Sequence, residues 1–536
     1  MPISRTKLDS LRARIEQDDT LRAVDELREL AAELNSGDSA ATARVRAWSA
    51  VLGADARTVM VALPLDAGGR DAAIAALLVG ARVVLADATA HPARTLAELE
   101  RTGADHAVLD SARLARLAAE PAVPLTDLAA LRRILHVGGP AAFDAVETVH
   151  LTSDPSGVVG VAGADREIGA GLIAAIESVA VDGLTQEHTA EFVARFDEAV
   201  LAAMLHTLQA HGVLTDPAVS HTTSEVLTAA GVSPRHHAVV ERWLTALTER
   251  GVLGSDGDRT RGTAPIDRTV VDAAWDAAHR LWTGRLGGAE VMAYFRLNAD
   301  RLPQLLSGAE QAALLLFPEG RTDIADALYR DTATARYLNT AVGAAMRVLA
   351  GGPTPPRVLE VGAGTGATSE VVLADLAESG VDGVDYLFTD VSPFFLDGAQ
   401  KRFAAYDFVR YGVYDIDRDN REQDFVPASV DVLIAAGALN NARDADATLR
   451  RLHELLVPGG WLLLIEPTRE YLEILISQAF MMTAAEDARL RSGTTFLSRQ
   501  QWHEALEKAG FTVVHTTPGG EHPLAPLSQY LFTAQR

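Results

Sequence analysis

Arg357-Val-Leu-Glu-Val-Gly-Ala-Gly-Thr-Gly-Ala-Thr368 is the stretch from which the rest of the chain is read. Val358, Leu359 and Val361 supply a short buried strand. Gly362, Gly364 and Gly366 then permit backbone angles and close approaches that a Cβ would block. From Ala367 to about Glu378, Val371, Val372 and Leu376 recur at helical spacing. A glycine turn that ends a strand and opens a helix is where an α/β sheet holds a nucleotide-like ligand.

The details choose among ligands. In a dinucleotide fingerprint the last glycine falls one residue later, and the helix N-terminus receives a pyrophosphate. Here Glu360 stands just ahead of the glycines, where it would repel a pyrophosphate but suit a cation. S-adenosylmethionine carries a sulfonium and an ammonium and no phosphate. A second strand, Tyr386-Leu-Phe-Thr389, ends at Asp390, 24 residues past Gly366, the place for a carboxylate that accepts both ribose hydroxyls. The rival reading is a structural strand–turn–helix that holds no ligand.

At 536 residues the chain has room for two to four domains. The formal net charge of −24, with no clustered Arg/Lys run, argues against a nucleic-acid partner. Zero cysteines exclude disulfides, thiolate metal sites and a cysteine nucleophile. No signal-peptide core is present, and no apolar run approaches the ~18 residues of a membrane span. The expectation is a cytoplasmic protein without a membrane or metal role.

In chain order, Leu8, Leu11, Ile15, Leu21, Val24, Leu27 and Leu34 predict an amphipathic helix over about 6–35. Residues 58–165 alternate strands, at 59–63, 81–86, 106–109 and 133–137, with helical segments, an α/β layer. Leu63-Pro-Leu through Gly80-Ala-Arg-Val-Val-Leu85, and Leu128 to Val137-Gly-Gly139, resemble the middle of the adenylation domains of nonribosomal peptide synthetases. The phosphate loop of that family is absent upstream. Val149-His-Leu-Thr-Ser-Asp-Pro-Ser156 lacks the glutamate of its next motif, and the C-terminal lysine subdomain is missing. The region is therefore read as a degenerate remnant that serves as scaffold or as a docking surface for a synthetase.

Residues 166–305 read as mainly helical. Val232 to Leu253 resembles the helix and hairpin of a winged helix, with His236 and His237 in surface or capping roles. Leu315-Leu-Phe-Pro-Glu-Gly-Arg321 and Ala327 to Asn339 resemble the lid ahead of the carbon-methylating domains embedded in polyketide and nonribosomal peptide synthetases. That resemblance makes Tyr329, Tyr337 and Asn339 candidates to line the site. Helix packing for the tyrosines and a turn for Asn339 are the plain alternatives.

From Arg357 onward the resemblance to those embedded methyltransferases covers nearly every element. It implies a class I Rossmann-like sheet with a helical lid, with S-adenosylmethionine as cofactor. Tyr414-Asp-Ile-Asp417 is expected to end a third strand, placing Asp415 on the adenine amino group and Ile416 against its ring. Val391 and Ala436 join Glu360, Gly362, Gly364, Gly366 and Asp390 as cofactor contacts, and Asn441 and Tyr471 join the acceptor contacts. Strands are expected at Val430–Ala436, Trp461–Glu466, Phe511–Val514 and Tyr530–Ala534. The apolar run Tyr471–Met482 reads as a long helix, and His453 and His503 as surface groups. The ending resembles the natural end of the embedded domain, as if a synthetase fragment had become free-standing.

Carbon-methylating relatives take a proton with a histidine after the fourth strand, oriented by a glutamate ending the fifth. Glu466 matches the glutamate, but the histidine position holds Asn440, 26 residues earlier. An amide cannot accept a proton as imidazole does. The catalytic candidates are Glu466, as base or orienter, Asn440 and Tyr337. The expected division is 1–165, 166–305 and 306–536. The leading expectation is carbon methylation in peptide, polyketide or siderophore-type biosynthesis, on a carrier-bound or free intermediate. The alternatives are oxygen or nitrogen methylation of a free small molecule, a cofactor-binding isomerase or epimerase, and a non-catalytic synthetase partner.

Overall fold

The computed structural model describes residues 11, 25–36, 39–52, 56–120, 126, 128–137, 147–153, 159–161, 164–352, 355–381, 383–482 and 484–536. Two α/β layers flank a helical region. In the first, β1 (Thr58–Ala62), β2 (Arg82–Leu85), β3 (His106–Asp110), β4 (Arg133–Val137), β5 (Glu147–Ser153) and β6 (Val159–Val161) form one sheet in the order β2-β1-β3-β4-β5-β6. All pairings are parallel except β5–β6. The strands read as apolar runs because both faces are covered. Of the amphipathic N-terminal stretch, Leu11, Leu27 and Leu34 are buried, while Leu8, Ile15, Leu21 and Val24 lie outside the described residues.

The helical region begins with α1 (Ala164–Glu177) and α2 (Gln186–Gln209). α3 (His237–Glu249) leads into β8 (Gly254–Asp256) and β9 (Arg259–Arg261), which pair with β7 (Ser220–His221) in a small antiparallel sheet. That is the helix and hairpin expected there. α4 (Ala333–Ala350) ends the region, its N-terminus capped by Thr332.

The second sheet is the larger. β10 (Arg357–Val361) opens α5 (Ala367–Ser379), and β11 (Asp385–Thr389) opens α6 (Pro393–Arg402). β12 (Val409–Gly412) and β13 (Val430–Ala436) follow, then α7 (Ala445–Leu455), β14 (Leu456–Pro467), β15 (Thr512–Thr517) and β16 (Gln529–Gln535). The order is β12-β11-β10-β13-β14-β16-β15, parallel except that β16 runs antiparallel to β14 and β15. The order reverses between β10 and β13, so the crevice over their C-terminal ends is the ligand position in such sheets.

One face of this sheet (Val358, Tyr386, Ile434, Leu463, Leu531) shares a continuous core with the helices from Leu172 to Ala350. The other face packs Leu359, Leu433 and Leu464 against α7 and the helix Arg499–Lys508. The lid region and catalytic sheet are thus one packed body on the first face. Among the described residues, no helix is long and apolar enough to cross a membrane.

Three local expectations differ from the structure. The third strand stops at Gly412, and Asp415 and Ile416 lie in the loop beyond it. β12 is an edge strand paired only to β11, and that pairing ends at Thr389–Gly412. The run Tyr471–Met482 is not one helix but a turn at Leu472–Leu475 and another at Gln478–Phe480, broken at Ser477 (φ −138°, ψ −94°). His453 is half-buried, edge-on to Phe511 at 5.1 Å, with its pKa lowered by that burial.

Candidate active site

After β10 the chain turns through Gly362 (φ 60°), Gly364 (φ 56°) and Gly366 (φ 75°). A Cβ on Gly362 would come within 2.6 Å of Ala438, and one on Gly366 within 2.6 Å of the Phe403 ring. Those two glycines serve packing. Gly364 differs: its nearest neighbour at the Cβ position is the Gly362 carbonyl at 4.0 Å, so a side chain there would project into open space. This is a cradle for a ligand's close approach.

Asp390 borders the cradle at the end of β11. It is 6% exposed, accepts the Gly364 N–H at 2.9 Å and the Ser392 N–H at 2.8 Å, and burial raises its pKa. Val391 beside it is exposed at the rim. Glu360 lies below the turn. Its Oε2 accepts the hydroxyls of Ser369 and, at 2.6 Å, Tyr386, and burial pushes its pKa to about 7. The carboxylate thereby joins β10, α5 and β11.

Asp415 and Ile416 reach the same edge from the loop after β12. Gln423 grips the Asp415 backbone on both sides, at 2.7 and 3.0 Å, and Asp415 Oδ1 accepts the Asp417 N–H at 2.9 Å. The Ile416 carbonyl accepts Thr448 Oγ1 at 3.1 Å and Arg451 Nη2 at 2.7 Å. Ala436 ends β13. Gly437, at φ 66°, donates to the Ile465 carbonyl at 2.7 Å and directs the chain into the turn Leu439–Asn441.

That turn meets Glu466 at the end of β14. Glu466 is fully buried; Oε1 accepts the Leu439 N–H at 2.8 Å and Oε2 accepts Asn440 Nδ2 at 3.0 Å. Burial, partly offset by these donors, pushes its pKa up to about 7. Asn440 Nδ2 also donates to the Gly437 carbonyl at 2.9 Å. Both amide hydrogens are thereby used, and Oδ1 is the atom left to meet an acceptor. Asn441, next in the turn, is exposed.

The lid candidates fall in different places. Tyr329 accepts at its hydroxyl from Gln478 Nε2 at 3.1 Å; the residue as a whole is 43% exposed, and desolvation of the hydroxyl pushes its pKa to about 12. Asn339 is buried and spans two elements, donating to the Tyr329 carbonyl at 3.1 Å and accepting Thr368 Oγ1 at 2.8 Å. Tyr337 is bonded to Thr517 Oγ1 at 2.8 Å and lies against the His522 ring at 4.5 Å, tilted by 35°. Thr517 pairs in register with Leu531, on the sheet face opposite Glu466. Tyr471 is tied to the Leu527 carbonyl, with Arg469 4.3 Å above its ring. His236, expected in a surface or capping role, stands at the N-cap of α3 but is buried, and its side chain donates to the Leu306 carbonyl at 3.2 Å. Among the described residues no group of side chains could hold a metal ion.

Two arginines escaped the sequence reading. Arg489, 2% exposed, donates to the Asn440 and Ala442 carbonyls at 2.5 Å and pairs with Asp487 at 2.7 Å, so it holds the turn against Glu466. Arg330 joins the lid to the glycine turn through the Thr365 carbonyl. Arg330 lies within the lid-like stretch Ala327 to Asn339 but was not singled out there, and Arg489 belongs to no motif. The only local signals were Asp326 four residues before Arg330 and Asp487 two before Arg489.

The geometry agrees with known proteins. A family profile described as a methyltransferase domain matches residues 359–462. Pyochelin synthetase PchF of Pseudomonas aeruginosa is 36% identical over 341 residues, 63% of this chain and 19% of that protein. Polyketide synthase ThaQ of Burkholderia thailandensis is 31% identical over 330 residues, 59% of this chain and 16% of that protein. The chain thus spans less than a fifth of the length of these curated relatives. The solved CurJ carbon methyltransferase superposes with a TM-score of 0.63 at 27% identity, covering 69% of this chain and 98% of that one. The DszA carbon methyltransferase shares the fold, with a TM-score of 0.61 at 24% identity, covering 69% and 95%. The chain carries a class I, S-adenosylmethionine-dependent methyltransferase domain, of the kind found within nonribosomal peptide and polyketide synthetases.

Proposed function

We propose that this chain methylates a carbon of a natural-product intermediate, carrier-bound or free, with Glu466 as the base or its orienter. The observation that carries this reading is the Asn440–Glu466 pair, 3.0 Å apart above the ends of β13 and β14. Bound S-adenosylmethionine supplies an electrophilic methyl group, whose transfer breaks its S–C bond, forms the bond to the acceptor and leaves S-adenosylhomocysteine. Asp390 accepts the ribose hydroxyls, and Asp415 and Ile416 hold the adenine. Glu466, with a pKa near 7, takes the acceptor's proton directly or through a water. Tyr329 and Asn441 border the acceptor. Asn339 positions Tyr329 and Tyr471 serves as a wall, while Tyr337, bonded to Thr517 on the opposite sheet face, has a packing role and not a catalytic one.

A second reading has its own support. Both Asn440 hydrogens are engaged, so Oδ1 presents an acceptor to the site. That suits a nucleophile bearing N–H or O–H, and hence nitrogen or oxygen methylation. Residues 1–165 form the degenerate adenylation-like layer, which offers a docking surface to a synthetase in the cytoplasm. Residues 166–305 and 306–536 are the lid region and the methyltransferase.

Calorimetric titration with S-adenosylhomocysteine is the test. We expect micromolar binding that Asp390→Ala abolishes, followed by transfer from labelled S-adenosylmethionine to an acceptor located by mass spectrometry. Binding without transfer favours an isomerase, and no binding favours a purely structural partner.

A further inference from the structure

We infer that Arg330 is a positioning residue for the cofactor: it latches the lid turn onto the glycine-rich loop and so sets the affinity of the cradle. This rests on the methyltransferase reading of the site.

Arg330 sits in the turn Ala327–Asp331, with its side chain only 12% exposed. Its three guanidinium nitrogens reach three elements. Nε donates to Asp326 in the lid at 2.8 Å, Nη1 pairs with Glu370 in α5, and Nη2 donates to the Thr365 carbonyl between Gly364 and Gly366. Arg402 of α6 completes the group, donating to Asp326 at 3.0 Å and lying 3.5 Å from Glu370. Thr322 adds a hydrogen bond to Asp326 at 2.9 Å, and these donors hold the Asp326 pKa down against its burial. Two arginines and two carboxylates thus form a neutral quartet across the lid turn, α5 and α6.

The glycine loop has little restraint of its own, because glycines lose more conformational freedom on ordering than any other residue. Fixing the Thr365 carbonyl restrains the two peptide units between left-handed glycines. It also keeps the Gly364 N–H on Asp390. A fork of directional donors performs this; a lysine, a point charge, reproduces only part of it. Asn339 provides a second, uncharged tie from the same turn, through Thr368 of α5. Lid closure and loop order are therefore coupled through charge.

The coupling gives a signature that mere structural support does not. S-adenosylhomocysteine carries no net charge at neutral pH, since its ammonium and carboxylate cancel. Any strong salt dependence of its binding then arises from charges on the protein. The test is calorimetry of the full chain with S-adenosylhomocysteine, in low and high salt, for wild type, Arg330→Gln, Arg330→Lys and Arg402→Gln. Ligand-free thermal unfolding is run alongside.

Wild-type affinity is expected to weaken as salt rises. Arg330→Gln is expected to bind about tenfold or more weaker in low salt, to lose the salt response, and to unfold as cooperatively as wild type. Arg330→Lys should recover part of both. Arg402→Gln, which leaves the Thr365 carbonyl held, should lose less. Wild-type affinity or a wild-type salt response in Arg330→Gln overturns the latch while leaving the cofactor site standing. Should Arg330→Gln not fold, Arg402→Gln decides, and unchanged affinity and salt response there overturn it. No binding by the wild-type chain removes the cofactor site, and the latch with it.

Discussion

Glu466 shows what burial does to one carboxylate. With no solvent exposure, its charged form lacks hydration, and two donors restore only part of it. With a pKa of about 7, half of it is ionised at neutrality. A base acts only when ionised, so turnover is expected to rise with pH through about 7. Glu466→Gln should flatten that limb and slow transfer by about 10²–10⁴-fold; a rate–pH profile of both proteins checks this, and a retained limb assigns it to another group. Glu473 carries the corresponding stability prediction. It is buried, its Oε2 has no hydrogen-bond partner, and its pKa is pushed to about 7. An unfolded glutamate loses its proton near 4.3. Between these values the native state holds more protons than the unfolded, so this group's contribution falls as pH rises and is flat above 7. Glu473→Gln should therefore raise the melting temperature at pH 8, by up to about 4 kcal/mol of stability, and leave it nearly unchanged at pH 4. Equal effects at both pH values would exclude titration as the cause. The spacing of Asn440 and Glu466 was legible because two strand ends fix it. Arg489 was not, because its carbonyl partners lie more than forty residues away in sequence.

The glycine turn is the element that separates ligand binding from folding. Gly364→Ala puts a methyl group into the open cradle and costs about 1–2 kcal/mol for its left-handed backbone. It is expected to abolish S-adenosylhomocysteine binding with a small fall in melting temperature. Gly366→Ala pays the same backbone strain and also drives a Cβ to 2.6 Å from Phe403, so its main effect should be on stability. Calorimetry and thermal unfolding of the pair check this, and normal binding by Gly364→Ala would refute the cradle. Strands of the catalytic sheet could be read because their apolar runs are bounded by turns. The run Tyr471–Met482 misled because apolar content alone does not distinguish one helix from two short turns. The break at Ser477 leaves Gln478 on Tyr329 and turns Trp243 Nε1 to the Leu475 carbonyl at 2.9 Å. Both contacts are to the lid, and neither is visible in local sequence.

At the scale of the whole molecule, the two α/β layers have different standing toward the cofactor. Every described group that borders the cradle or grips the glycine turn belongs to residues after Ala164. Helix α1 goes with this part: a Cβ added at Gly169 would lie 3.7 Å from Trp461 and 3.9 Å from Val514, and one at Gly171 3.7 Å from Val348, so α1 closes the face of the sheet beside β14 and β15. Both layers could be read from alternating strand and helix patterns. The joining of lid and catalytic sheet into one core could not, because amphipathic faces do not name their partners. Buried charges across the seam make that join specific: Asp197 of α2 takes Arg250 at 3.0 Å and lies 3.5 Å from Arg469, just beyond β14. Removing one partner of such a group would strand a buried charge, so lid and sheet should unfold together. A fragment of residues 164–536 retains the cradle, lid, latch and seam. It is expected to unfold in a single transition and to bind S-adenosylhomocysteine within about twofold of the full chain. Loss of binding, or an unfolded fragment, would mean that the first sheet completes the cofactor site. Full binding with lost turnover on a carrier-bound acceptor would instead assign that sheet to acceptor delivery.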